Sequence, residues 1–136
     1  MIKVDSIGMI PNSKNDPTIT SASNVNNYSF ITDSGITYLV MQTGNGDDRY
    51  QEDLTITAGD PLNCYQVDAW SGQKLFVDGK HVTGGVGSLA VDAVLIVAED
   101  GTLATGTAPT SGVYFTVTDI GLKLTEDAVK VRVCVV

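Results

Sequence analysis

At the C-terminal end of the chain, Val129, Val131, Val133 and Val135 alternate with Lys130, Arg132, Cys134 and Val136. Successive side chains of an extended chain point to opposite faces, so this spacing builds one valine face and one mixed face. A helix would scatter the same valines around its circumference. Valine is also stiff at χ1, which suits a pleated sheet better than a helix. The same β-branched character recurs at 36–43, 54–57, 62–67, 74–77, 94–98, 102–104 and 113–118. Each of these segments reads as a strand.

Turn chemistry separates them. Ser34-Gly35, Asn45-Gly46, Ser71-Gly72, Asp78-Gly79, Asp100-Gly101 and Ser111-Gly112 pair a small polar residue with glycine, the composition that tolerates positive φ. Asp78-Gly79 and Asp100-Gly101 each lie between two apolar runs and predict tight hairpins. Helix signals are weak. The 88–97 stretch has no clear period, and Thr125-Glu126-Asp127-Ala128 offers at most one turn before the last strand. The expected fold is all-β, or β-dominated with at most one short helix, arranged as a small sandwich or barrel.

The first thirty residues differ. Pro11-Asn12-Ser13-Lys14-Asn15-Asp16-Pro17 and the 20–27 stretch are polar and rich in Asn and Ser, with Ile2, Val4, Ile7 and Ile10 as isolated apolar anchors. Such a segment has too few apolar groups for a core of its own. It reads as an extended N-terminal arm, residues 1–30, preceding a single compact β domain, 31–136. The arm is either a disordered tail or an element that orders against a partner, for example by adding a strand to a sheet edge.

With 136 residues the chain is long enough to bury one core without metal or disulfide staples. Its 16 acidic residues outnumber 8 basic ones, a net charge of -8, which repels phosphate backbones and argues against nucleic acid as a partner. The opening Met1-Ile2-Lys3-Val4-Asp5 lacks a signal-peptide pattern, and the apolar runs 93–98 and 133–136 are too short to span a bilayer. A cytosolic site of synthesis and no membrane partner are therefore expected. There, Cys64 and Cys134 read as free thiols rather than a disulfide.

Few residues suggest chemistry. His81 is the only imidazole, no Gly-x-Ser-x-Gly elbow is present, and the histidine reads as a surface or interface residue beside a turn. Asp47, Asp48, Glu52 and Asp53, around Arg49, form an acidic loop without the spacing of a calcium-binding EF-hand. Gly84-Gly85-Val86-Gly87 lacks the Lys-Ser or Lys-Thr of a phosphate loop. No catalytic residue, metal site or cofactor is expected. Trp70 reads either as a cap on the core near a turn or as an exposed platform.

Several strings resemble tailed-phage capsid decoration or head-fibre base proteins. They are Asp53-Leu54-Thr55-Ile56-Thr57-Ala58-Gly59-Asp60-Pro61-Leu62, Asp68-Ala69-Trp70-Ser71-Gly72-Gln73-Lys74-Leu75, and the run from Gly101-Thr102-Leu103-Ala104-Thr105-Gly106-Thr107-Ala108-Pro109 to Gly112-Val113-Tyr114-Phe115-Thr116-Val117. The resemblance covers about residues 50–136. It implies a non-enzymatic virion protein, made in the host cytoplasm, that binds the capsid exterior and reinforces contacts between subunits of the major capsid protein. It also implies a homo-oligomer, with a trimer favoured. On that reading Ile7, Ile10, Val25 and Tyr28 are expected as arm anchors and Trp70 as a rim contact. The alternative is a β-rich binding module that recognises glycan through Trp70 with Tyr65 or Tyr50.

Overall fold

The computed structural model describes residues 2–4, 19–42, 54–123 and 126–136. Among them are eleven strands: β1 (Ile2–Val4), β2 (Val25–Asn26), β3 (Phe30–Asp33), β4 (Ile36–Val40), β5 (Thr55–Ile56), β6 (Cys64–Gln66), β7 (Lys74–Asp78), β8 (Val94–Val97), β9 (Leu103–Thr105), β10 (Val113–Lys123) and β11 (Asp127–Val135). Helical structure in the described residues is confined to two 3₁₀ turns, Val67–Trp70 and Gly79–His81. No helix among them is long and apolar enough to cross a membrane. The all-β class expected from the alternating pattern is the observed one.

The main sheet has six strands in the order β1-β7-β11-β10-β8-β9, and all of its named pairings are antiparallel. Phe115 lies opposite Val133 and Val117 opposite Val131. These residues, with Leu75, Val77, Leu95, Leu103 and Val129, are buried in one core. Complete burial of each such side chain contributes about 1.5–3 kcal/mol. The opposite face is more open. There the Lys130 ammonium lies 4.6 Å from the centre of the Phe76 ring, opposite which it stands in the ladder.

A three-stranded sheet, β3-β4-β6, forms a middle layer. One of its faces gives Phe30 and Leu39 to the main core. Its other face gives Tyr38, Val40 and Cys64 to a second core with Ile19, Val25, Ile56 and Leu62. Val25 and Ile56 belong to the two-stranded β2-β5 sheet. Burial on both faces explains why β4 is nearly continuous in apolar residues rather than alternating. Ser34 and Gly35, at φ 52° and 78°, join β3 to β4 in a two-residue hairpin with Asp33 opposite Ile36. Both central residues of that connection need positive φ, as in a type I′ turn.

Two expectations change. Residues 19–30 belong to the body: Ile19, Val25, Tyr28 and Phe30 are all buried. Their apolar side chains are sparse, but Ile19 and Val25 meet Tyr38, Val40, Ile56, Leu62 and Cys64 in the second core, while Tyr28 and Phe30 join the main core. β1 pairs with β7 of the same chain, and Ile2 is buried in the main core. In addition, Asp78-Gly79 is no hairpin. Both sides of β7 are occupied, by β1 and β11, so the following chain has no edge to fold back on. It passes through the 3₁₀ turn Gly79–His81 instead, and Val82 then forms a parallel bridge with Leu103 of β9. That bridge ties the segment after β7 to β9, the far edge strand of the main sheet. The Asp100-Gly101 hairpin, in contrast, forms as expected between β8 and β9.

Candidate functional site

Three turns meet around a cavity of about 380 Å³ lined by Asn26, Asn27, Ser29, Leu54, Lys80, His81, Asp100 and Thr102. The first turn leaves β2. Asn26 Oδ1 accepts the Thr55 hydroxyl at 2.9 Å. Asn27 turns inward, where its Nδ2 donates to the Gln42 carbonyl and its Oδ1 accepts the Gln42 N–H, both at 2.8 Å. This reciprocal pair reproduces a strand ladder with a side chain. Tyr28 then takes φ 62°, a left-handed conformation that costs a non-glycine residue about 1–2 kcal/mol. Its N–H donates to the Val40 carbonyl at 2.8 Å, and its ring packs on His81 with centroids 5.5 Å apart.

The second turn is the β8–β9 hairpin. Asp100 Oδ1 accepts the Thr102 hydroxyl at 2.6 Å and the Thr102 N–H at 3.0 Å. With the Thr102 hydroxyl donated to Asp100, the Thr83 hydroxyl, 2.7 Å away, is the donor to Thr102. The bonds from Thr102 hold the Asp100 carboxyl below its ordinary value of 3.8, because a carboxylate accepts them better than the acid does. The hairpin tip docks on the first turn, with Phe30 N–H donating to the Gly101 carbonyl at 2.9 Å.

The third turn is Gly79–His81. Glu126 Oε1 accepts the Lys80 N–H, and the Thr83 N–H donates to the Leu103 carbonyl at 2.7 Å. These bonds fix the backbone that presents Lys80 and His81 to the cavity. Among the described residues the wall combines the cationic Lys80 and the anionic Asp100 with amide and hydroxyl residues, Leu54 and His81.

The residues expected from sequence fall elsewhere. Trp70 ends the 3₁₀ turn Val67–Trp70 and is fully buried in the main core. It caps the core and offers no rim or platform. Its turn is pinned by the Gln73 N–H to the Trp70 carbonyl and by Gly72 and Gln73 to Val133 of β11, and these bonds leave the indole facing inward. Val25 and Tyr28 are buried against the chain's own layers rather than displayed as arm anchors. Ile7, Ile10, Tyr50 and the 47–53 acidic loop lie outside the described residues. His81 is nearly buried beside Tyr28, not a surface side chain. Asn26, Asn27, Lys80, Asp100 and Thr102 carried no sequence signal beyond the turn chemistry of Asp100-Gly101, since their convergence depends on how distant turns pack.

Cys64 and Cys134 are both free thiols, in different sheets. No group of three or more His, Cys, Asp or Glu among the described residues is placed to hold a metal ion. Compared with known proteins, the chain matches no family model, no curated protein and no solved structure.

Proposed function

We propose that this chain is a non-enzymatic structural protein of a phage virion, bound to the outside of the capsid, where it reinforces contacts between capsid subunits. Its partner on this reading is the major capsid protein, and it acts as a homo-oligomer, a trimer being favoured. The strings that resemble capsid decoration and head-fibre base proteins run through β5, β7, β9 and β10, so they belong to one packed body.

One observation carries the reading. The large apolar side chains left exposed among the described residues are Val91 (50%), Ile120 (47%), Val135 (37%) and Val136 (56%); Ile120 and the Val135-Val136 pair lie toward opposite ends of the β10–β11 hairpin, and Val91 lies in the segment before β8. Val135 stands opposite Val113 at one end. Ile120 follows Asp119 toward the other end, where two register shifts in β10 displace it from the alternating pattern. Val91 adjoins Asp92, whose N–H donates to the Val117 carbonyl of the same strand. From Val113 to Asp119 is about 20 Å of extended chain. Two separated contact points on one hairpin suit a protein that bridges neighbours, and several weak contacts engaged together bind tightly.

The test is cosedimentation with tailed-phage heads assembled without this chain. The wild type is expected to travel with the heads, while Ile120→Asp and Val136→Asp each weaken the association. A chain that stays at the top of the gradient overturns the proposal. The glycan alternative loses its aromatic platform, because Trp70 is buried.

A further inference from the structure

We propose that the cavity between the three turns binds a neutral polyhydroxylated ligand, and that a saccharide ring is the class it takes. This inference is independent of the capsid reading. The argument starts from charge. Among the described residues, Lys80 and Asp100 are the charged side chains of opposite sign lining the cavity, and with one of each this wall favours no net ligand charge. The chain's net charge of -8 further disfavours anions. Among the described residues a cation finds a single carboxylate, that of Asp100, on the wall, too few hard oxygens for a calcium or magnesium ion.

Hydrogen-bond chemistry narrows the class. An ionised carboxylate only accepts, an ammonium only donates, and amide and hydroxyl groups do both. A ligand that answers all of them must donate and accept from adjacent atoms, which vicinal hydroxyl groups do. Leu54 on the same wall is an apolar residue, of the kind that packs on the C–H face of a sugar ring. Two polar side chains of the wall and the Lys80 backbone are also held in place before any ligand arrives. Thr102 holds Asp100, Thr55 holds Asn26, and Glu126 holds the Lys80 backbone. Groups already ordered spend less entropy on binding. The strained Tyr28 backbone at the cavity's edge fits a built site, since such strain persists only where the surroundings enforce it. The volume of about 380 Å³ lies in the range of small-molecule pockets, roughly 300–1,000 Å³.

The experiment is amide NMR of the full chain with glucose, galactose, mannose and N-acetylglucosamine, each at about 50 mM, enough to reveal a millimolar Kd. At least one sugar is expected to shift the amides of Asn26, Ser29, Lys80, Asp100 and Thr102 in a saturable way. Asp100→Asn and Lys80→Ala, with spectra otherwise unchanged, should each weaken that sugar about tenfold, the scale of one hydrogen bond to a charged group. Asn26→Ala provides a third, uncharged variant and is expected to weaken it as well. The proposal is overturned if no sugar moves these amides, if the shifts survive all three substitutions, or if inorganic phosphate binds there and the sugars do not.

Discussion

The Gly101 carbonyl accepts the Phe30 N–H at 2.9 Å, and this bond ties the β8–β9 turn of the main sheet to the first strand of the middle sheet. Gly101 sits at φ 86°, and a Cβ built there would lie 2.9 Å from Ser29 Cβ and 3.1 Å from the Phe30 carbonyl oxygen. Both the backbone conformation and the close approach call for glycine.

Gly101→Ala should therefore destabilise the protein by about 2–4 kcal/mol, combining left-handed strain with displacement of the docked turn. Gly84→Ala supplies the contrast. Gly84 has φ 78° and nothing within 4 Å of its added Cβ, so only the strain of about 1–2 kcal/mol applies. Urea denaturation of the two variants measures the difference, and equal losses would show that the hairpin tip does not press on Ser29.

Trp70→Ala should cost about 3–5 kcal/mol, as expected for removing a fully buried indole. Trp70→Phe should cost clearly less. The indole N–H is buried with no hydrogen-bond partner among the described residues, so its removal sacrifices packing and no hydrogen bond. Thermal unfolding of both variants checks the order, and a Phe variant as unstable as the Ala variant contradicts it.

Asn27→Asp removes the Nδ2 donor to the Gln42 carbonyl and sets a carboxylate oxygen against that carbonyl in a buried position. A loss of about 2–3 kcal/mol at neutral pH is expected. Lowering the pH should recover part of it, because the protonated acid again offers a donor. A denaturation series at pH 7 and pH 4 reads both effects.

The Asp100 carboxyl is held low chiefly by the Thr102 hydroxyl and then by the Thr102 N–H. A group whose folded value is depressed contributes stability that is present above its unfolded value, here the ordinary 3.8. That contribution is lost as the pH falls through the lower folded value. Carbon-detected NMR titration should place Asp100 below an ordinary aspartate, and Thr102→Ala should move it upward. An unmoved titration in that variant would remove the assigned cause.

The prediction of β7 through β11 rests on local signals. Val129, Val131 and Val133 are buried as their alternation requires, and the Asp100-Gly101 pair turns where two strands lie free to join. Local chemistry decided these elements because each strand's pattern records a face buried along its whole length. The candidate cavity was hardly visible by comparison. Asp100 and Thr102 are close in sequence, but Asn26 and Lys80 reach them only through the packing of separate sheets.

By itself, the sequence determined the all-β class, most of the strands and the main-sheet face that becomes core, because period-two burial and turn stereochemistry act over a few residues. Tertiary structure decided what those residues face. It made Asp78-Gly79 a crossing rather than a hairpin, since β1 and β11 already occupy both edges of β7. It also drew residues 19–30 into the body and turned Trp70 inward, because the apolar partners of Ile19, Val25, Tyr28 and Trp70 lie on strands remote in sequence. Burial is a property of where distant segments meet, and no local pattern in a short polar stretch records that meeting.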